Sequence, residues 1–354
     1  MIRRSRGWQI KCSRRGLRKW HKAIVRRRRG PTVWIDERVS LASSFNFSQS
    51  YSQTVQSLLQ LKRATLVKPP AGHRRRVHID LASMEEVSVA GALVLAAEID
   101  RWRRLKRAVL APRDTESWNP SVKRMLTSLG FFRLLGVELA EDTENWHLDK
   151  EVVVLQMVTD ARADGEMIWE IGEHLSTVAS VFEQDPVIYA ALVEAAYNST
   201  LHGYPEGYEY EFKPIRKRWW ATACWYPHEN VVRFLVYDQG VGIAATLPRS
   251  RHWESVRNLL SKLPVVGGLA QDSSSMIEAA IEVCRTSRSG GHGKGLSDVV
   301  APIKGLRGAR VRILSGRGSY ICYGDGRIEK GDNALSLGGT LIEWTIPTGS
   351  GHVE

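Results

Sequence analysis

Between Ser48 and Ala64, apolar residues recur at helical spacing: Tyr51, Val55, Leu58, Leu59 and Leu61 fall on one face and predict an amphipathic helix. Ahead of it, after Pro31, Val33-Trp34-Ile35 reads as extended chain. A short strand follows at Val77-His78-Ile79-Asp80-Leu81, then a polar break and an apolar helix from Val89 to Leu105. Asn119-Pro120 starts another helix, which runs through Val122, Met125 and Leu126 to Leu129 and stops at Gly130. Strands and helices alternate, so residues 31–138 read as a small α/β module. Acidic and amide residues cluster over 139–150, the pattern of a linker.

The second half is built differently. Val152 to Val158 reads as a strand, and Asp185-Pro186 opens a helix through Ile188, Leu192 and Tyr197. Five runs rich in β-branched and aromatic residues follow: Trp219 to Tyr226, Val231 to Tyr237, Ala309 to Leu314, Ser319 to Tyr323 and Thr340 to Ile346. Helices first and a mostly antiparallel sheet later predict an α+β module over 151–354.

Charge changes this picture at one end only. The chain has 354 residues and a formal net charge of +12, yet thirteen Lys and Arg lie between Arg3 and Arg29 with no carboxylate before Asp36. The remainder carries 37 positive against 38 negative charges, which excludes a fold that wraps nucleic acid with its whole surface. Within the basic tail, residues 1–30, Leu17, Trp20 and Ile24 fall at helical spacing among six Lys and Arg. The tail therefore reads as a helix gripping a nucleic acid or another polyanion, as one lying on an anionic membrane surface, as a transit peptide, or as a solvated arm. Cys12, Cys224, Cys284 and Cys322 are far apart and form no disulfide or zinc pattern, as in a reducing cytoplasm. The longest apolar run, Val89 to Ala97, has nine residues, where a membrane helix needs about twenty. The expectation is a cytoplasmic chain with no transmembrane segment.

Chemistry concentrates in the second module. Glu194, Asn198 and His202 are spaced i, i+4, i+8 and project from one helix face, a poor stripe for a core. The strand Val231 to Tyr237 ends in Asp238-Gln239-Gly240-Val241-Gly242, an acid at a strand end with backbone free to approach a ligand. Ser289-Gly290-Gly291-His292-Gly293-Lys294-Gly295-Leu296 precedes a helix predicted from Leu296 to Ile303, a source of backbone N–H groups for phosphate. Gly338-Gly339-Thr340 opens the last strand. Each alone is weak, since an Asp-x-Gly-x-Gly turn is often only a strand exit.

In this order the motifs resemble the GHKL ATP-binding fold, a two-layer α/β sandwich shared by histidine kinases, type II topoisomerases, the Hsp90 and MutL ATPases and anti-sigma-factor serine kinases. The resemblance covers about 150 to 350, and Asn198-Ser-Thr-Leu-His202-Gly203-Tyr204 is most similar to the serine-kinase branch. It implies that Asn198 holds Mg²⁺ through its amide oxygen and that Asp238 accepts a hydrogen bond from the adenine amino group of ATP. It implies further that Gly240 and Gly242 leave room for the base, that Gly291, Gly293 and Gly295 wrap the phosphates with Lys294 as an extra charge, and that Thr340 belongs to the fourth box. Glu194 would be the general base toward water or a hydroxyl. One departure is the stretch from 243 to 289, longer than usual for the serine-kinase lid, with helices predicted over Glu254 to Leu263 and Ser275 to Arg285. It reads as a lid that closes over nucleotide or contacts a partner, or as an insertion without a role in turnover.

Residues 31–138 resemble, with less specific motifs, a STAS domain, the anti-sigma-antagonist fold. The position of the family's phosphorylated serine is Ala90, which has no hydroxyl. Ser83 or Ser88 could substitute; the other reading is a non-phosphorylated docking module. Two function classes follow. One is an Mg-ATP-binding regulator that hydrolyses ATP or phosphorylates a partner on Ser or Thr; the other is a non-catalytic switch whose lid closure controls partner or nucleic-acid binding. The partners left open are a protein, a polyanion at the tail and a second copy of the chain.

Overall fold

The computed structural model describes residues 33–66, 69–105, 109–137, 151–179, 182–250, 253–261, 272–286 and 295–348. The basic tail and the 139–150 linker lie outside them. The fold is mixed α/β.

The first module is built from β1 (Val33–Ser40), β2 (Ser44–Phe45), α1 (Tyr51–Leu66), β3 (His73–Asp80), β4 (Glu86–Val87), α2 (Val89–Leu105), β5 (Val109–Arg113), α3 (Pro120–Ser128) and α4 (Phe131–Leu135). Strands β1, β3 and β5 form a parallel sheet in that order. The Asn119 side chain caps α3 by accepting from the Ser121 and Val122 N–H groups, and Gly130, at φ +90°, ends it. Two limits differ from the sequence pattern. Strand β3 starts at His73, earlier than its apolar part, since the charged His73-Arg74-Arg75-Arg76 segment carries no alternation to betray it; β5 was not legible because it is short and holds Pro112.

The second module contains β6 (Val153–Val154), β7 (Val158–Asp160), α5 (Gly165–Val178), α6 (Pro186–His202), β8 (Trp219–Tyr226), β9 (Val231–Asp238), α7 (Ile243–Thr246), α8 (Trp253–Leu260), α9 (Ser273–Thr286), α10 (Leu296–Val300), β10 (Arg310–Ser315), β11 (Gly318–Tyr323), β12 (Ile328–Asp332) and β13 (Thr340–Pro347). The sheet runs β12-β11-β10-β13-β9-β8-β6, antiparallel throughout, with β7 also on β8. The single strand expected over Val152 to Val158 is broken in two, because Leu155, Gln156 and Met157 stand opposite only Thr222 and Ala223. One extra residue makes a bulge, and the Thr222 hydroxyl donates to the Leu155 carbonyl across it at 2.7 Å. The helix expected from Leu296 to Ile303 is α10 plus one 3₁₀ turn over Ala301–Ile303, where Pro302 interrupts the ladder.

Alternation along the central strands assigns each face of this sheet a core. Trp219, Ala221, Ala223, Phe234, Val236, Ile313, Ile342 and Trp344 face α5, α6, α9 and α10. Trp220, Cys224, Leu235, Tyr237, Leu314 and Leu341 point the other way and join the core of the first module. Helix α2 is buried at every position from Val89 to Trp102, and it packs on α1 and α4 of its own module and on β8 and β9 of the other. That location explains a helix apolar nearly all round. Its Asp100 accepts from Trp220 Nε1 at 3.1 Å and from Arg104 Nε at 2.9 Å. Half-buried Ser88 donates to the Phe45 carbonyl, exposed Ser83 donates to the Leu41 carbonyl, and Ala90 is buried.

The shared core makes a checkable demand. Trp220→Ala should cost about 3–5 kcal/mol and lower amide-exchange protection in both modules together. Denaturation with two separated transitions, only one of them shifted by the variant, would contradict the common core.

Candidate functional site

Helix α6 is positioned by its own start: Asp185 accepts from the Val187 N–H at 2.7 Å and Pro186 occupies the first turn. Its buried residues Ile188, Ala191, Leu192, Ala195 and Ala196 seat it on the sheet. The flank beside that face then presents Glu194 and Asn198, both half-buried, one turn apart. Asn198 Nδ2 donates to Glu194 Oε1 at 3.0 Å, so the amide oxygen of Asn198 faces away from the carboxylate. Burial pushes the Glu194 carboxyl above its ordinary range, Asn198 opposes this, and the Asp298 charge adds to it. His202, the third residue of the spacing, sits exposed at the end of α6.

Ser199, the residue after Asn198, is buried and sequence reasoning passed over it. Its hydroxyl donates to Asp238 Oδ2 at 3.0 Å, and it also bonds the Ala195 carbonyl within the helix. Asp238, the last residue of β9, is 5% exposed. Its Oδ1 accepts from the Gly240 N–H at 2.7 Å. Burial raises this carboxyl to about 6 against the Gly240 N–H, the Ser199 hydroxyl and the Thr340 backbone, all of which favour the ionised form.

The glycines have specific reasons. A Cβ on Gly240 would stand 2.3 Å from the Gly203 carbonyl, so this glycine lets the loop close on the end of α6. Its bareness serves that protein contact, and a Cβ there would also stand 2.8 Å from Asp238 Oδ1. Gly242 has φ +86°, a conformation side chains resist, and backs onto Ser315 and Gly316. Thr340 supports the loop from beneath: its hydroxyl lies 2.8 Å from Ser315 Oγ, which in turn accepts from the Ile243 N–H at 2.8 Å. Ser315 gave no signal in the sequence, because only the β10 to β13 register brings it opposite Thr340.

Of the glycine-rich segment, Gly291, Gly293 and Lys294 lie outside the described residues. Gly295, at φ +65°, is described, and α10 that follows it packs along α6. A Cβ on Gly295 would touch Cys284 Sγ at 3.1 Å. The Cys284 thiol is pushed up by burial, with the Leu296 backbone opposing and Glu194 adding. Gly295, Cys284 and Asp298 are thus gathered beside Glu194.

The long 243–289 segment contains α8 and α9 as helices, close to the expected limits. Leu247, Val256, Met276, Ala279, Ala280 and Val283 form a small core between them, while Ile277 and Ile281 enter the main core. Asp332 accepts from the Ser273 and Ser274 N–H groups at the start of α9. Helix α9 is thus packed between the small core and the main core, with its start capped by Asp332.

The available donor set consists of the Asn198 oxygen, the carboxylates Glu194 and Asp238, and backbone. Oxygen donors suit Mg²⁺ carried on a nucleotide, and a buried carboxylate suits an amino donor. Among the described residues no cluster of three or more His, Cys, Asp or Glu is arranged to hold a metal ion, and no helix is long and apolar enough to cross a membrane. Comparison of the chain with protein-family models, characterised proteins and solved structures finds no match.

Asp238 has a signature in stability. Between about pH 4 and 6 the folded state keeps a proton that the unfolded chain has released, so stability falls as pH rises through that window, by on the order of 3 kcal/mol. Asp238→Asn should flatten this slope in denaturant titrations at stepped pH; an unchanged slope would place the burden on another group.

Proposed function

We propose that this chain is an Mg-ATP-binding regulatory protein of the GHKL type that hydrolyses ATP or transfers its γ-phosphate to a Ser or Thr of a partner protein. The observation that carries the reading is the clamp between α6 and the end of β9. One helix supplies Glu194, Asn198 and Ser199, and the last of these fastens the buried carboxylate of Asp238. A buried acceptor at the end of one strand and a paired carboxylate and amide nearby are the separated recognition and reaction ends that a nucleotide requires. The second module's own helices on one sheet face, and Gly295 leading into α10 against α6, agree with it.

In this reading Asp238 accepts from the exocyclic amino group of adenine and uses its remaining lone pairs, while Ser199 and Gly240 hold it in place. The Asn198 oxygen would hold Mg²⁺, which when bound would neutralise charge on the phosphates. Glu194 takes the proton from the attacking water or hydroxyl as the new oxygen–phosphorus bond forms and the bond to the β-phosphate oxygen breaks. Its raised carboxyl suits that work, because a base is most useful when its proton affinity lies nearer the working pH. The first module belongs to the same reading as a STAS-like unit. Buried Ala90 at the family's acceptor position, and a half-buried Ser88 that donates to the Phe45 carbonyl, support the docking form over a phosphoacceptor.

Purified protein incubated with Mg²⁺ and γ-labelled ATP should release labelled phosphate or label a partner from lysate. Glu194→Gln should lower that rate about 10²–10⁴-fold with little change in nucleotide affinity. Bound ATP with no label transferred under any condition would turn the reading to a nucleotide-gated switch, and absence of ATP binding would overturn it.

A further inference from the structure

The residue between the two ends of the Asp238-Gln239-Gly240 turn points away from the site. Gln239 is buried, and its Nε2 donates to the Ala97 carbonyl and to Glu98 Oε1, both at 3.3 Å and both on α2 of the first module. Its backbone N–H donates to the Tyr204 hydroxyl at 3.0 Å, which anchors the same turn to the chain beyond α6.

Glu98 is the centre of a buried cluster. Lys62 Nζ of α1 lies 3.3 Å from Glu98 Oε1, and Arg101 Nη2 lies 2.8 Å from Oε2. All three side chains are buried. Ionised groups are costly to bury, and one that merely filled a core would be better replaced by Leu or Met. Lys62 reaches the other side of the site as well. It lies 3.5 Å from the Leu337 carbonyl, and a Cβ on Gly338 would stand 3.2 Å from its Nζ. Gly339, next in the chain, is pressed so close to Asp238 that a Cβ there would stand 1.9 Å from the Asp238 carbonyl oxygen. The two backbone segments that bracket Asp238 are therefore both held by one buried charge cluster of the first module.

We propose that Glu98 and Gln239 are positioning residues for the Asp238 carboxylate, so that the first module forms the back wall of the site and its seating is coupled to ligand binding at Asp238. The coupling to nucleotide rests on the proposed function; the positioning of Asp238 does not. A ligand that draws on Asp238 must favour the seated arrangement of α2, and by reciprocity any partner that loosens α2 weakens that ligand.

The test uses the full chain with ¹³C-labelled aspartate carboxyls, the Asp238 signal being assigned by its loss in Asp238→Asn. Gln239→Met removes both donations to α2, Glu98→Met removes the charge, and Glu98→Gln is a milder form that keeps an acceptor. Trp220→Phe breaks the neighbouring Asp100 bond without touching Gln239 and serves as the control for general loosening. With the anchor gone, water reaches Asp238, and its titration midpoint should fall by about half a pH unit or more in Gln239→Met and Glu98→Met. The shifts should not add in the double variant, because both singles break one network. Glu98→Gln should shift less, and Trp220→Phe should leave the midpoint in place. Adenosine and Mg-ATP affinity should weaken about tenfold in the same variants. A midpoint unmoved by every variant, or moved as far by Trp220→Phe, overturns the positioning. If Glu98→Met does not fold, Gln239→Met and Glu98→Gln decide the matter alone. A parent chain that binds neither adenosine nor Mg-ATP overturns the proposed function, while the Asp238 midpoints still decide whether the first module positions that residue.

Discussion

A carboxylate that is buried at the end of a strand has to be held by donors, and Asp238 sets that constraint here. Isolated in an apolar surrounding it would take up a proton and lose its use as an acceptor. The Gly240 N–H and the Ser199 hydroxyl each take one oxygen, and the carboxyl still rests at about 6, high for its type but ionised near neutrality. Each supporting contact then imposes its own demand. Ser199 fixes the rotation of α6, and with it Glu194 and Asn198. Gly240 has to be bare to meet Gly203, and Gly339 has to be bare to meet Asp238. The local sequence around the site is in large part the consequence of keeping one charge in place.

The same constraint links packing to the wider architecture. A sheet with one apolar face could leave the other to water, yet β8, β9 and β13 place Trp220, Tyr237 and Leu341 on the second face and need a cover. The first module supplies it, with α2 buried throughout. Two modules that the chain pattern separates are thus one packed body across this sheet. Buried charges at Lys62, Glu98 and Arg101 interrupt that contact beside the Asp238 turn, as Asp100 does beneath Trp220. Polar groups in such a place contribute direction more than stability.

Much of this was legible from spacing alone. The helix opening at Asp185-Pro186, the five sheet runs and the two helices within 243–289 follow from caps, β-branched stretches and helical periodicity, signals that are local. Strand β12 was missed because Ile328-Glu329-Lys330-Gly331-Asp332 is exposed at the sheet edge and has no apolar alternation. The β6 and β7 bulge was missed because register belongs to the pair and not to one strand. At the site, Glu194, Asn198 and Asp238 stood out by their types at their spacing. Ser199 was hidden by lying next to a more conspicuous residue. Ser315, Lys62 and Glu98 were invisible, since tertiary packing alone brings them to the turn. Glu98 did leave one trace, a carboxylate directly after the apolar run Val89 to Ala97.

Recognition of an amino donor by the Asp238 carboxylate is the claim on which the rest of the functional account turns. Isothermal titration of the full chain with Mg-ATP and with Mg-inosine triphosphate isolates it, because the two differ where adenine carries its amino group and hypoxanthine carries a carbonyl. The account predicts that ATP binds at least about tenfold more tightly, since the carbonyl would set an acceptor against a buried carboxylate. Equal affinities for the two nucleotides would contradict it.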